Sequence, residues 1–161
     1  MLASVVCLGA MLFAERLHYF RSPESILKRF FAANQPEVLQ ADTLILAGSK
    51  VEDLVIEKLR DQNASKRRYM MVYLGSIRSS KAVNVLQQIT ADTSEPLYMR
   101  ADALQSLFLI GTYAAQETAA VYAQQNDELG AFAGGLLKGN IKISRRRSFW
   151  DAFWSRDVEH L

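Results

Sequence analysis

The chain has 161 residues, of which 50% are apolar, so it can bury a core of ordinary size as one domain or one short repeat array. Its 19 Lys and Arg against 17 Asp and Glu give a formal net charge of +2, which is too small to indicate nucleic acid as a partner. The single cysteine excludes an internal disulfide, and the two histidines, one near each end, argue against a histidine-rich metal site and a Ser-His-Asp triad. We therefore expect no metal and no cofactor.

Residues 1–20 form an apolar N-terminal segment, and the first 14 of them carry no charged side chain. As a helix these 14 residues would be about 21 Å long, short of the ~30 Å hydrocarbon thickness of a bilayer. A secretory signal is not favoured, because a positive n-region and a small-x-small cleavage site are both lacking, and the residues before Cys7 suit a lipoprotein poorly. We predict a membrane anchor, extended by Leu17, Tyr19 and Phe20. A signal or a core helix is the alternative.

The charges that follow this segment predict its orientation. Four basic residues lie after the apolar run: Arg16, Arg21, Lys28 and Arg29. The positive-inside rule then places the body of the protein on the cytoplasmic side of an inner membrane, with a periplasmic body as the alternative.

The first predicted helix of the body begins at Ser22, which serves as its cap, with Pro23 at the first helical position. Four apolar residues then recur at helical spacing: Ile26, Leu27, Phe30 and Phe31. Basic residues around this stripe leave an interfacial membrane helix as an alternative, but we interpret the stripe as a face packed on a neighbouring helix.

Two more helices are predicted before residue 61. The first runs from Pro36 to Ala47 and is stopped by Gly48. The second opens with the capping box Ser49-Lys50-Val51-Glu52 and ends near Arg60. Together they form a helical hairpin, an imperfect copy of the pair that follows.

Residues 67–111 contain one helical unit and the start of a second copy. A shift of 33 residues places Arg67 on Arg100 and apolar residues on apolar residues: Leu74 on Leu107, Ile77 on Ile110, and Ala82 on Ala115. A period of this length is typical of stacked helical hairpins. A last helix is predicted around Leu129 to Leu137, and no segment alternates at period two, so the predicted fold class is all-α.

The two copies carry related patterns. The first reads Arg67-x-x-Met70-Met71-x-Tyr73-Leu74-Gly75-x-Ile77, then Ala82-x-x-x-Leu86, and the second reads Arg100-x-x-Ala103-Leu104-x-x-Leu107-x-x-Ile110-Gly111. Both resemble the HEAT-like repeats of α-solenoids, of the bacterial type related to phycobilisome lyase repeats. The resemblance covers residues 49–126 well and 36–48 loosely. It implies a short right-handed solenoid of about three hairpins over residues 22–140, with atypical end helices.

The resemblance also implies a role for four charged residues. In that family an Asp in the loop between repeats and the Arg that opens the next helix stack along the solenoid as a polar ladder. Asp61 with Arg67, and Asp92 with Arg100, look like these ladder residues. We therefore expect them to be structural.

Residues 141–161 are predicted to form a basic-aromatic C-terminal helix. Seven of its residues are candidates for contact with a partner or a membrane: Arg145, Arg146, Arg147, Phe149, Trp150, Phe153 and Trp154. The aromatic side chains would share one helix face, a pattern suited to a membrane interface or a partner groove. The alternative is a helix that folds back to cap the solenoid.

Two further patterns do not indicate catalysis or phosphate binding. Gly130, Gly134 and Gly135 match no phosphate-binding motif, so close helix packing or a fraying last helix is the expected reason for them. Five tyrosines near helix ends could line a groove, and such rings mark an interface more often than a catalytic site: Tyr69, Tyr73, Tyr98, Tyr113 and Tyr122.

These observations favour a non-enzymatic protein-binding adaptor or scaffold subunit of a membrane-associated complex. The expected partner is another protein, with membrane contact through residues 1–20 and no nucleic acid. Relatives of the repeat include bilin lyases and an iron-dependent hydroxylase, but the hydroxylase's repeated His-Glu pairs are missing from this sequence. The alternative function is a repeat-type lyase or a chaperone acting on a cofactor-bearing protein. No catalytic residue is predicted.

Overall fold

The computed structural model describes residues 21–143, and this part of the chain is helical and contains no β-strand. Its helices are α1 (Pro23–Ala32), α2 (Asp42–Ala47), α3 (Glu52–Leu59), α4 (Arg67–Ser76), α5 (Val83–Ala91), α6 (Leu97–Ile110), α7 (Tyr113–Tyr122) and α8 (Glu128–Leu137). Short 3-10 turns lie at Glu37–Leu39, Gly48–Val51 and Ser80–Ala82. The all-α prediction is confirmed for these residues.

Two predicted segments lie outside the described residues. They are the N-terminal anchor, residues 1–20, and the candidate contact residues from Arg145 to Trp154. Among residues 21–143, each helix is too short or too polar to cross a bilayer. The anchor and the C-terminal contact stay predictions.

Several helix ends follow from local sequence. Ser22 caps α1 by accepting a hydrogen bond from the backbone N–H of Ser25 at 3.2 Å, and Pro23 opens the helix as predicted. Asp127 caps α8 by accepting from the N–H of Gly130 at 2.7 Å. Gly111 ends α6 at a positive φ of 71°, which a residue with a side chain adopts only at a cost.

The hairpin before residue 61 differs from its prediction. The expected helix over 36–47 is a 3-10 turn followed by the six-residue α2. The capping box is wrong, because residues Gly48–Val51 form another 3-10 turn in which the carbonyl of Ser49 accepts from the N–H of Glu52. α3 therefore begins at Glu52 without a side-chain cap.

The 33-residue shift relates positions that are buried in both copies. Four residues of α4 and α5 and their equivalents in α6 and α7 have no exposed surface: Met70 with Ala103, Met71 with Leu104, Leu74 with Leu107, and Leu86 with Ala119. The central helix α6 packs against α4, α5, α7 and α8. Its apolar residues are spread around the whole helix, as expected for a helix with neighbours on several sides.

Helices α4 and α6 approach each other closely at Gly75. A Cβ at this position would lie 3.1 Å from the Cα of Ser106, so a side chain here would push the two helices apart by a few tenths of an ångström. The hydroxyl of Ser106 is 2.9 Å from the carbonyl oxygens of both Met71 and Asp102, so its one hydrogen is shared between a bond to α4 and a bond within α6.

Lys66 fastens α1 to the start of α4. Its ammonium donates hydrogen bonds to the carbonyl oxygens of Phe30, at 2.8 Å, and of Ala33, and it lies 5.3 Å from the centre of the Phe30 ring. The carbonyls at the C-terminal end of α1 thus gain donors that the helix itself cannot supply.

Candidate functional site

An open cleft of about 350 Å³ lies where the first turns of α4 and α6 meet. Three consecutive basic residues of the α4 start contribute to it: Lys66, Arg67 and Arg68. The loop before α6 and its first turn contribute Glu95, Pro96, Tyr98 and Met99, and Tyr69 lines the α4 side. The cleft therefore combines charged, aromatic and apolar groups within reach of solvent.

A buried ion pair belongs to the cleft lining. Arg67 and Glu95 form two parallel contacts, Nη2 to Oε1 at 2.6 Å and Nη1 to Oε2 at 2.9 Å, and each side chain is 6% exposed. The Nε of Arg67 also donates to the carbonyl oxygen of Leu59 at 3.3 Å. The bidentate geometry fixes the α5–α6 loop against the first turn of α4.

Arg68 and Tyr98 form an exposed part of the cleft. Arg68 donates from Nε to Oδ2 of Asp102 at 2.5 Å, and its Nη1 lies 3.8 Å from Oε1 of Glu37. Its guanidinium also lies 5.8 Å from the centre of the Tyr98 ring. The Arg68 side chain is 49% exposed and Tyr98 is 58% exposed, so both can be reached from solvent.

Neither helix that opens at the cleft has a side-chain cap. The residues before the two helices are Lys66, which adopts a positive φ of 62°, and Pro96. Uncapped first turns leave backbone N–H groups available and carry partial positive charge. They add to the positive character of the three basic side chains.

The hydrogen bonds of the four predicted ladder residues are made with residues outside the two expected pairs, Asp61 with Arg67 and Asp92 with Arg100. Asp61 accepts from Lys58 Nζ and from the N–H of Asn63, both at 3.0 Å. Asp92 accepts from the N–H of Ser94 at 2.9 Å and from Gln62 Nε2 at 3.0 Å, while Arg100 Nε donates to the carbonyl of Thr90 at 2.9 Å.

The pKa values of these two aspartates are lowered mainly by their hydrogen bonds, and the charges of nearby arginines make smaller contributions. The hydrogen bond from Lys58 is the main cause of the lowered pKa of Asp61. Those from Ser94 are the main cause for Asp92. The charge of Arg67 contributes to lowering the pKa of both carboxyl groups, and Arg100 contributes at Asp92. The four residues therefore belong to one polar region beside the cleft.

The five tyrosines separate into different environments. Tyr69 and Tyr98 line the cleft. Tyr73 has no exposed surface, and its hydroxyl donates to the carbonyl oxygen of Gly48 at 2.7 Å; burial raises its pKa, with smaller contributions from nearby carboxylates. Tyr113 is 82% exposed on α7, and Tyr122 is half-buried against the core. Only the first two could contribute to one common site.

Sequence reasoning missed seven of the ten residues that line the cleft: Gln62, Ala64, Lys66, Arg68, Glu95, Pro96 and Met99. The Arg67–Glu95 pair joins residues 28 positions apart, and the bond from Lys66 to Phe30 spans 36 positions. Helical spacing relates residues only three or four positions apart, so it carries no signal for such contacts.

Comparisons with known proteins assign neither a family nor a function to the chain. No protein-family model, no curated protein and no solved structure matches the chain. Over residues 21–143, no group of three or more His, Cys, Asp or Glu side chains is arranged to hold a metal ion.

The hydrogen bonds of Asp92 predict a pH effect. Because its folded pKa is lowered, Asp92 contributes stability above its unfolded pKa of about 3.9, and that contribution is lost as the pH falls through the folded value. We expect the thermal midpoint of the native chain to fall more steeply than that of Asp92→Asn as the pH is lowered from about 5 to below about 3.9. Parallel midpoint curves for the two proteins would contradict this expectation.

Proposed function

We propose that the chain is a short right-handed HEAT-like α-solenoid that works as a non-enzymatic protein-binding adaptor or scaffold subunit of a membrane-associated complex. The equivalence of buried positions at a shift of 33 residues supports the solenoid, as does the packing of α4 beside α6. Residues 1–20 would hold the protein at the membrane with its body on the cytoplasmic side.

The observation that carries the binding function is the cleft. Exposed Tyr98 and Arg68 stack beside each other there, next to Pro96 and Met99. Tyrosine and arginine are enriched among residues that dominate protein–protein interfaces, because each offers a large contact area together with hydrogen-bond donors. The predicted tail residues Arg145 to Trp154 would provide a second contact.

Affinity purification from the native membrane fraction tests the membrane and adaptor roles together. We expect the tagged full chain to purify without colour and with another polypeptide. We expect a version lacking residues 1–20 to move to the soluble fraction while keeping that polypeptide. Recovery of the full chain in the soluble fraction would rule out the anchor, and a bound chromophore would favour the lyase or chaperone alternative.

The tail contact is tested by replacing Trp150 and Trp154 with alanine. We expect the double variant to lose most of the copurifying polypeptide while its thermal midpoint stays unchanged. Tyr113→Ala is the matched control, since it removes an 82% exposed aromatic side chain from α7. Unchanged binding together with a lower midpoint would identify the tail as a cap on the helical array.

A further inference from the structure

Lys66 holds a backbone conformation that a residue with a side chain adopts only at a cost. Its φ is 62° and its ψ is 22°, which lie in the left-handed region that glycine adopts freely. It stands directly before Arg67, the first residue of α4, and its carbonyl oxygen accepts from the N–H groups of Tyr69 at 3.0 Å and Met70 at 3.2 Å. Such a conformation persists only where the surrounding structure holds it in place.

The end of α1 holds the Lys66 side chain. The ammonium donates to the carbonyl oxygens of Phe30, at 2.8 Å, and of Ala33, and it lies 5.3 Å from the centre of the Phe30 ring. α1 is itself fixed in the core by Ile26 and Phe30, which have no exposed surface. The position of the α1 end therefore determines whether Lys66 keeps its strained backbone.

The residue after Lys66 continues the connection to the cleft. Arg67 forms the bidentate pair with Glu95 in the α5–α6 loop, and its Nε donates to the carbonyl oxygen of Leu59. The N–H of Glu95 donates to the carbonyl oxygen of Asp92 at 3.1 Å, which closes this loop. A rotation of the backbone at Lys66 redirects the adjoining Arg67 side chain. Printed contacts thus run without a gap from the carbonyls of α1 to the loop that lines the cleft.

We propose that Lys66 couples α1 to the cleft. The end of α1 keeps Lys66 in its left-handed conformation, and that conformation positions Arg67 and, through the ion pair, the α5–α6 loop. When the end of α1 moves away, Lys66 relaxes to the right-handed conformation and the Arg67–Glu95 pair loses its geometry. Lys66 is a positioning residue in this scheme.

The coupling gives the membrane a connection to the cleft. α1 begins at Pro23, directly after the predicted anchor of residues 1–20. Linkage between two sites is reciprocal, so a partner that fixes the α5–α6 loop also favours the docked position of α1. This consequence rests on the proposed function, whereas the coupling itself concerns only contacts within the described part of the chain.

Two substitutions at Lys66 separate backbone strain from the loss of hydrogen bonds. Lys66→Met removes the ammonium and keeps the strain, because methionine disfavours the left-handed region as lysine does. Lys66→Gly removes the ammonium and the strain together. Coupling through the backbone therefore predicts that Lys66→Met disturbs the α5–α6 loop and that Lys66→Gly largely preserves it, although both variants lose the contact with α1.

Hydrogen exchange of the full-length chain, followed by NMR at single amides, measures the effect. The N–H of Glu95 reports on the loop, because its bond to Asp92 breaks when the loop opens. We expect Lys66→Met to speed its exchange at least about tenfold and Lys66→Gly to change it less than about twofold. The N–H of Ala131, which bonds to the carbonyl of Asp127 at 2.9 Å in α8, is the reference and should keep its native rate in both variants.

Arg78 offers a matched control position just beyond the other end of α4. It is also a basic residue with a positive φ, 55°, and its N–H bonds to the carbonyl oxygen of Gly75. Arg78→Met and Arg78→Gly should both leave the exchange of Glu95 at the native rate. Equal acceleration by Lys66→Met and Arg78→Met would indicate a general loss of stability and would overturn the proposal.

A variant of α1 tests whether the signal passes through Lys66. Ile26→Val loosens the packing of α1, so we expect it to speed the exchange of Glu95 about threefold in the native background. The same substitution should have no effect on Glu95 in the Lys66→Gly background, where the contact is already absent. An equal effect of Ile26→Val in the two backgrounds would mean that α1 reaches the loop by another route.

The pair of Lys66 variants decides the remaining alternatives. Equal acceleration by Lys66→Met and Lys66→Gly would show that only the lost hydrogen bonds matter, and native exchange in both would show that α1 does not influence the loop. Either result overturns the coupling. Because exchange is measured on the chain alone, the expected pattern stands even if no polypeptide copurifies, and a copurifying polypeptide supports the adaptor function even if the pattern is absent.

Discussion

Replacing Glu95 with alanine is expected to lower the free energy of unfolding by about 3–5 kcal/mol. The substitution leaves the guanidinium of Arg67 without its carboxylate at a site where the side chain is 6% exposed. A buried charge that loses its partner retains its desolvation cost, so the loss exceeds the net contribution of the pair itself. Urea unfolding followed by circular dichroism measures the effect as a shift of the midpoint at an unchanged slope.

Two companion variants show whether burial is the cause. The double variant Arg67→Met/Glu95→Leu removes both charges, so we expect it to be more stable than Glu95→Ala, although the carbonyl of Leu59 loses a donor. Asp53→Ala removes a carboxylate that contacts Lys81 at the surface and should change the midpoint little. A Glu95→Ala midpoint equal to that of Asp53→Ala would mean that Arg67 relaxes into water.

Replacing Gly130 with alanine is the second change with a large expected effect. A Cβ at this position would lie 2.1 Å from the carbonyl oxygen of Gln125 and 2.9 Å from that of Tyr122, which are backbone atoms that cannot rotate away. The turn after α7 or the first turn of α8 must therefore shift. Overpacking costs ~1–3 kcal/mol, and a shift of the first turn of α8 that breaks the Asp127 cap would add about 1 kcal/mol.

The same helix provides the matched control. A Cβ at Gly134 would meet no atom within 4 Å, so Gly134→Ala should raise the stability by ~0.5–1 kcal/mol through helix propensity. Gly135 is intermediate, since its Cβ would meet only the side chain of Ile141, at 2.6 Å. We expect the highest thermal midpoint for Gly134→Ala, the next for the native chain and the lowest for Gly130→Ala. A Gly130→Ala midpoint at or above the native value would contradict the steric argument.

Local features of the fold were predictable where a single residue decides them. Ser22 and Pro23 specify the start of α1, and Asp127 marks the turn into α8. The predicted close packing at the late glycines applies to Gly130 and Gly135, and Gly134 has open space. The helix predicted over 36–47 is instead a 3-10 turn and a short helix, and its apolar spacing fits both arrangements, so the sequence could not distinguish them.

The cleft depends on contacts between distant segments, and such contacts leave no periodic trace in the sequence. In the sequence Glu95 has the pattern of an ordinary loop residue before Pro96. It becomes the partner of Arg67 because the fold brings the first turns of α4 and α6 together. Lys66 likewise reads as one more surface cation, whereas the fold places its ammonium on the end of α1. The repeat period predicted which positions are buried, and the polar site required the arrangement of the helices.

The packing of α6 limits how far the array can be divided into modules. This helix contacts α4 and α5 before it and α7 and α8 after it, so both neighbouring hairpins share it. A cut at either end of α6 would leave one side with an open apolar face of buried residues such as Leu104 and Leu107. Units of this chain therefore cannot be exchanged at the borders of the 33-residue period without exposing that face, and a cut before α4 has the same effect, because α4 packs against α2 and α3.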